Sequence, residues 1–431
     1  MITSPAFAGK RYAVLGLARS GRATVRALLS SGAEVTAWDE REEARAEFAG
    51  EVELADPVAA DLTGFAGVVV SPGVPLNTHQ IKSHADSFGV PVIGDIELFA
   101  QARANLPPHK VVGITGTNGK STTTALVHHI LKTAGVPTTM GGNIGLPILE
   151  QEPLTPNNKG VGVYVLELSS YQIDLTFSLD CDVAVLLNIT PDHLDRYDSF
   201  RIYAASKARL FAMQNSAHYA LAGTSTKASE ATLREFAHVC LIALEPWRSE
   251  FNKYAALAGP HNLENLAAAS YVCSSSTLGL SRAQIEAGLE TYPGLPHRME
   301  RVADIAGVAY VNDSKGTNTA ASAPALAAFD NIHWILGGLA KEPGLGECNS
   351  ELGHVKAAYT IGKAGPDFAA LLEPHVPVEQ CETLDRAVAS AAANAVKGDT
   401  VLLSPACASF DQYRDFEARG DHFRELVEAL A

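Results

Sequence analysis

Apolar positions in this chain come in short runs separated by polar tips and glycine turns. Arg11-Tyr-Ala-Val-Leu-Gly16 reads as a strand entering a turn, a helical pattern follows from Arg22 to Ser30, and Glu34 to Trp38 forms a second strand. That succession opens a βαβ unit. Val68-Val-Val-Ser-Pro-Gly73 adds a third strand that runs into a loop, so a small α/β domain with a ligand edge is expected. A second pattern begins near His109, with strands at Lys110 to Ile114, Val161 to Leu168 and Val183 to Ile189. These are almost continuously apolar, as parallel strands covered on both faces must be. Helical spacing marks Ser121 to Thr133 and Phe200 to Gln214. Thr291-Tyr-Pro-Gly-Leu-Pro296 interrupts the pattern of Ser281 to Leu289 and reads as a linker. Beyond it, strand-like runs at Ala309 to Val311, His333 to Leu336, Ala358 to Ile361 and Thr400 to Leu403 alternate with alanine-rich helices, which predicts a third α/β domain.

Composition narrows the function. The 431 residues are 47% hydrophobic and 19% charged, enough for several cores and contrary to global disorder. A net charge of -15 disfavours a protein that grips a phosphodiester backbone, so no nucleic-acid partner is expected. Val68 to Val70 and Val183 to Leu187, among the longest apolar runs, fall far below the roughly 18 residues of a membrane helix, and no secretory segment opens the chain. A cytoplasmic protein without membrane insertion is expected. Six scattered cysteines lack a C-x-x-C pair and read as reduced structural thiols.

The strongest local signal is Thr115-Gly-Thr-Asn-Gly-Lys-Ser-Thr122, between a strand and a helix. Glycines let successive N–H groups and the helix N-terminus face phosphate oxygens, Lys120 neutralises them, and Ser121 can hold Mg²⁺. The strict phosphate-loop pattern wants its first glycine at the position of Ile114, so the loop is a variant. Glu167 stands in an otherwise apolar strand, where an ionised carboxylate needs a cation, and Mg²⁺ ligation answers that need. The next strand ends in the polar cluster Asn188-Ile-Thr-Pro-Asp-His-Leu-Asp-Arg196, which makes His193 a candidate ligand or substrate contact. Lys207 shares an apolar helical stripe with Phe200, Tyr203, Leu210 and Phe211. Burial favours a neutral amine able to react with carbon dioxide, whereas a snorkelling lysine would carry its head to water. The first turn, Gly16-Leu-Ala-Arg-Ser-Gly21, has Ala18 where a dinucleotide fingerprint wants glycine, and tight packing or nucleotide binding both fit it.

Gly116-Thr-Asn-Gly-Lys-Ser-Thr122, Gly141-Gly-Asn-Ile-Gly145, Glu167-Leu-Ser-Ser-Tyr-Gln172, Asp192-His-Leu-Asp195, Tyr203 with Lys207, His261-Asn-Leu-Glu-Asn265, His297-Arg298, Asp313-Ser-Lys315 and Ser404-Pro-Ala-Cys-Ala-Ser409 stand in one order along the chain. In this the sequence resembles the Mur ligases over nearly its whole length. Asp95-Ile-Glu-Leu98 and the Ser404 to Ser409 block are similar to the member that adds D-glutamate to UDP-N-acetylmuramoyl-L-alanine in peptidoglycan synthesis. The resemblance implies an N-terminal Rossmann-like UDP-binding domain (1–98), a central P-loop ATPase domain with a parallel sheet (99–294), and a C-terminal Rossmann-like amino-acid domain (295–431). It implies an ATP-dependent, ADP-forming ligase working through an acyl phosphate, two Mg²⁺ ions, and a monomer.

Residue by residue, the resemblance implies that Gly116, Thr117, Asn118, Gly119, Lys120, Ser121, Thr122, Asn262, Asn265, Arg298, Asp313 and Lys315 hold ATP, some of them across a hinge. It gives Ser121, Glu167, His193 and a carbamylated Lys207 to the metals, with Lys120, Glu167, His193 and Lys207 as the catalytic set. Leu17, Ser20, Asp39, Arg41, Ser71, Pro72, Gly73, Asn143 and Gln172 are implied for the UDP substrate, and Thr317, Lys341, Ser409, Phe410 and Phe416 for glutamate. Arg19 and Leu339 depart from the pattern of better-known members. The rivals are an amide ligase for another amino acid, a folylpolyglutamate synthetase, whose relatives lack the first domain, and a nucleotide switch, which has no need of the Glu167, His193 and Lys207 cluster.

Overall fold

The computed structural model describes residues 1–192, 196–229, 236, 239–249, 253–257, 261–341 and 343–430. They form two compact units, Met1–Phe251 with Asn262–Tyr292, and Asn252–His261 with Pro293–Ala431. The first unit carries two sheets and the second carries one.

The first sheet joins β1 (Arg11–Leu15), β2 (Glu34–Trp38), β3 (Glu53–Leu54), β4 (Phe65–Val70) and β5 (Val92–Ile93) in the order β3-β2-β1-β4-β5, all parallel. Strand order reverses between β1 and β4, which leaves a crevice at their carboxyl ends. Tyr12 and Val14 point to one face and Ala13 and Leu15 to the other, each into its own cluster, because side chains alternate along a strand.

The second sheet joins β6 (His109–Thr115), β7 (Thr138–Gly142), β8 (Gly162–Glu167), β9 (Val183–Leu186), β10 (Tyr219–Ala222) and β11 (Val239–Leu241) in the parallel order β11-β10-β9-β6-β8-β7. One apolar cluster runs from Phe7, Val25 and Phe99 to Tyr164, Leu166 and Leu186, so the two sheets share a core. Glu97 fastens the same junction, accepting from the Phe177 and Ser178 N–H groups at 2.7 and 2.9 Å and from the Ser178 hydroxyl at 2.7 Å.

In the second unit β12 (Glu300–Ile305), β13 (Val308–Asn312), β14 (Ile332–Gly337), β15 (Val355–Ile361), β16 (Val378–Glu382) and β17 (Thr400–Leu403) lie in the order β12-β13-β17-β14-β15-β16. β12 is antiparallel and the rest are parallel. Trp334 and Leu402 serve one core, Ile335, Val401 and Leu403 the other.

The strands read from apolar runs are present with ends moved by a few residues. Strands β3, β5, β7, β10, β11, β12 and β16 escape that reading: β7 and β12, at sheet edges, are mostly half-buried or exposed and carry no apolar run, while β10, interior and largely buried, is only four residues long. The helix expected over Phe200 to Gln214 spans Phe200–Ala212, capped by the Ser199 hydroxyl.

Candidate active site

The variant loop curls between β6 and the helix Lys120–Thr133, with Gly119 at the helix N-cap in the left-handed region at φ 80°. A side chain on Gly119 would also meet the Asn265 Oδ1 at 2.1 Å, so position 119 requires glycine twice over. The loop is braced by the segment after β9. The Thr117 N–H donates to the Asn188 carbonyl at 2.8 Å, and the Thr117 hydroxyl meets the Tyr203 hydroxyl at 3.1 Å. Lys120 folds back over the loop, donating to the Gly116 and Thr117 carbonyls at 3.0 and 2.7 Å. Asn265, on the helix His261–Ser274, accepts from the Thr123 hydroxyl at 3.2 Å and donates to the Asn262 side chain at 3.0 Å. Lys120, Asn262 and Asn265 are therefore brought to one end of the second sheet.

Lys207 does not snorkel. It is 2% exposed, its ammonium donates to the same Gly116 carbonyl at 2.8 Å, and it lies 4.7 Å from the Tyr203 ring centroid. Tyr203, Leu210 and Phe211 of the expected stripe are buried with it, and Phe200 is half-buried. Burial first, then the charge of Lys120, holds the amine well below the ordinary lysine range, against the opposing pull of Asp192, Asp174 and Glu167.

Glu167 ends β8 beside the loop and is 2% exposed. Its Oε1 accepts from the Asn143 amide at 2.9 Å, while Oε2 is buried without a hydrogen-bond partner. An orphaned carboxylate oxygen fits a cation, and the hard oxygens of Glu167 and Ser121 suit Mg²⁺. Among the described residues no group of three or more His, Cys, Asp or Glu side chains is placed to hold a metal. His193 lies outside the described residues. Gln172 is buried as the partner of Ser169 in a reciprocal helix cap.

At the crevice of the first sheet, Leu17, Ser20, Asp39, Arg41 and Ser71 to Gly73 gather after β1, β2 and β4. The Ser71 hydroxyl donates to the Gly16 carbonyl at 2.9 Å, tying the two tips together. Asp39 accepts from the Leu17 N–H at 2.7 Å and from the Arg41 side chain at 3.1 Å. Desolvation opposes these bonds, yet they hold its carboxyl below the ordinary range.

The second unit gathers its own candidates behind β13 and β17. Asp313 is buried, with the Ser404 hydroxyl donating to it at 2.7 Å and the Met299 N–H at 3.2 Å. Burial pushes its carboxyl up to about 7, against these bonds and the charges of Arg298 and Arg419. Lys315 lies 3.9 Å from the Phe416 ring centroid, and Lys341 donates to the Thr317 hydroxyl at 3.4 Å. Leu339 exchanges two backbone hydrogen bonds with Ala408, which brings the Lys341 segment beside buried Ser409 and exposed Phe410.

The sequence pattern gives no role to Asn188 or Glu264, though both touch the phosphate-loop scaffold. Glu264 stands in the polar first turn of its helix, an ordinary place for an acidic residue, so the sequence offers no signal that singles it out.

A phosphate loop on a parallel sheet, an orphaned acid at its side and two further α/β sheets, one before and one after it along the chain, define a nucleotide-dependent enzyme of several domains. Residues 10–94 match the Mur ligase MurD-like N-terminal domain, residues 114–244 the Mur ligase middle domain, and residues 297–407 the Mur ligase glutamate ligase domain. The chain belongs to the Mur ligase family. Within it, the UDP-N-acetylmuramoylalanine--D-glutamate ligase of Novosphingobium aromaticivorans is 61% identical over 100% of this chain and 97% of its own. The enzyme of the same name from Sphingopyxis alaskensis is 58% identical over 100% of both chains. In fold the chain resembles the MurF ligase of Thermotoga maritima in complex with ADP, with a TM-score of 0.61, 18% identity and coverage of 98% and 96%. It also resembles the UDP-N-acetylmuramate-alanine ligase MurC of that organism, with a TM-score of 0.60, 16% identity and coverage of 98% and 100%.

Proposed function

We propose that this chain is the ATP-dependent ligase that joins D-glutamate to UDP-N-acetylmuramoyl-L-alanine in peptidoglycan precursor synthesis. The reading is carried by full-length likeness to ligases of that name at up to 61% identity. The site geometry supplies suitable chemistry. The alanine carboxylate attacks the γ-phosphorus of ATP, ADP leaves, and an acyl phosphate forms. The glutamate amine then attacks the acyl carbon, loses its proton, and phosphate departs as the amide closes. Two anions must meet in the first step, so positive charge at the loop sets its rate.

Lys120 serves the phosphates, and its bonds to the Gly116 and Thr117 carbonyls are the contacts a nucleotide replaces. Ser121, Glu167, His193 and a carbamate on Lys207 would hold two Mg²⁺ ions, which when bound neutralise phosphoryl oxygens. The buried, deprotonation-prone amine of Lys207 can attack carbon dioxide and lose a proton to give that carbamate. The proposal assigns ATP to residues 116–122 with Asn262, Asn265, Arg298, Asp313 and Lys315. It assigns the UDP substrate to Leu17, Ser20, Asp39, Arg41, Ser71 to Gly73, Asn143 and Gln172, and glutamate to Thr317, Lys341, Ser409, Phe410 and Phe416. Domain limits at 1–98, 99–294 and 295–431, a monomer, and a cytoplasmic site of action complete the reading. Among the described residues no helix is long and apolar enough to cross a membrane.

The test is phosphate release from ATP with UDP-N-acetylmuramoyl-L-alanine and, in turn, D-glutamate, L-glutamate and other amino acids. Turnover confined to D-glutamate is expected. Turnover with another amino acid alone, or with a folate acceptor, overturns the assignment.

A further inference from the structure

Asn188 and Glu264 belong to none of the ligand-holding sets, yet they form a relay onto the phosphate loop. Asn188 follows β9 and grips Asn118 at both backbone groups. Its Oδ1 accepts from the Asn118 N–H at 2.8 Å, and its Nδ2 donates to the Asn118 carbonyl at 3.2 Å. A primary amide can do this in only one of its two flip states. The second hydrogen of Nδ2 reinforces that state, because Glu264 Oε2 accepts it at 2.9 Å from the facing helix. With the amide reversed, an oxygen would face both the Asn118 carbonyl and the Glu264 carboxyl, and the Asn118 N–H would lose its acceptor.

Glu264 is itself held in place. It is 8% exposed, its Oε2 accepts from Asn188, and its Oε1 is buried without a hydrogen-bond partner. Gly223, just after β10, leaves room for it, since a side chain there would meet Glu264 Oε1 at 2.2 Å and the Leu187 carbonyl at 2.1 Å. The same helix carries Asn265, whose Oδ1 closes over Gly119. One helix thus fixes the loop at two neighbouring residues, Asn118 through the relay and Gly119 by packing.

We propose that Glu264 and Asn188 are positioning residues for nucleotide binding, setting the backbone of Asn118 so that the loop amides are preorganised for phosphate. The proposal rests on the reading of residues 116–122 as the ATP site. Preformed anion-binding loops gain affinity because their amides need no reordering when the ligand arrives.

The test compares the full-length protein with Glu264→Gln, Glu264→Ala, Asn188→Ala and the Glu264→Ala/Asn188→Ala double variant. Equilibrium binding of ADP, KM for ATP, KM for the UDP substrate and the thermal midpoint are measured for each. Glu264→Gln keeps an acceptor for Asn188, so ADP binding within about twofold of wild type is expected. Glu264→Ala and Asn188→Ala should each weaken ADP binding and raise the KM for ATP by about tenfold, with the KM for the UDP substrate unchanged. The double variant should lose no more than the worse single one, because the two residues act in series. A merely structural role would lower the midpoint, or raise both KM values together, and leave the losses additive; that pattern overturns the relay. Wild-type ADP affinity in both single variants overturns it too. Should Glu264→Ala fail to fold, Asn188→Ala is compared with Glu264→Gln, where equal ADP affinities reject the proposal and a tenfold gap supports it. If wild type binds no ADP, the ATP-site reading itself has failed, which is a separate result.

Discussion

Each unit buries a cation, and the two are handled in opposite ways. Arg419, on the helix Phe416–Glu428, is 1% exposed and spends its guanidinium on the Ser314 and Cys407 carbonyls at 2.9 and 3.1 Å and on the Ser314 hydroxyl at 3.0 Å. It knits together the segments after β13 and β17. Burial lowers its pKa only to about 10, so it stays charged at neutral pH. Lys207 is 2% exposed, with one carbonyl and one aromatic face beside its ammonium, and it shares that carbonyl with Lys120. A rigid fork satisfied by several carbonyls is a strut, whereas a flexible amine crowded by a second cation is a group under pressure to lose its proton.

The largest effect expected from this contrast is at Lys207. Lys207→Arg keeps charge but cannot become a carbamate, and turnover should fall about 10³-fold or more while the thermal midpoint moves little. Lys207→Ala should regain part of its activity in formate or acetate. Near-normal turnover in Lys207→Arg would reduce the residue to simple electrostatics and erase the contrast.

Arg419→Met should act the other way. Its carbonyl partners would be left buried and unpaired, costing about 3 kcal/mol of stability in the second unit. Denaturant unfolding and ATP turnover at permissive temperature separate the two readouts. A variant as stable as wild type with turnover abolished would make Arg419 a site residue instead of a strut.

Asp313, near Arg419, sharpens the comparison through pH. Its pKa rises from 3.8 to about 7, so between those values the folded protein keeps a proton that the unfolded chain gives up. Stability must therefore fall as pH rises from about 4 to about 7 and level off above, by about 2 kcal/mol after allowance for relaxation. Asp313→Asn should flatten that slope, checked by urea midpoints at pH 5 and pH 8. A wild-type protein with no slope through this window would mean that Asp313 is ionised in the fold.

How much was legible follows the same physics. Lys207 and Glu167 were visible because a charge inside an apolar period is a local signal. The buried strands β6, β8 and β9 were visible because both faces are covered, and β7 and β12 were not because an edge strand needs no apolar run. The Asn188 to Glu264 relay joins residues 76 positions apart and leaves no spacing to read. Arg419 looks in sequence like any surface arginine of an amphipathic helix, and only the packing of β13 and β17 around it reveals its burial.

The smallest effect expected is at a third cation, Lys341, which is exposed and donates to the Thr317 hydroxyl at a long 3.4 Å. It ties no buried segments together, which leaves contact with a ligand as its role. If that ligand is the side-chain carboxylate of glutamate, the contact exists in the ground state as well as the transition state. Lys341→Ala should then raise the KM for glutamate about tenfold and leave kcat, the KM for ATP and the thermal midpoint near wild type. Lys341→Arg should recover part of the loss, since a carboxylate accepts either cation. Equal increases in KM for glutamate and ATP would instead place Lys341 with the nucleotide contacts, and a kcat loss at saturating glutamate would join it to Lys207 as a group acting on the reacting atoms.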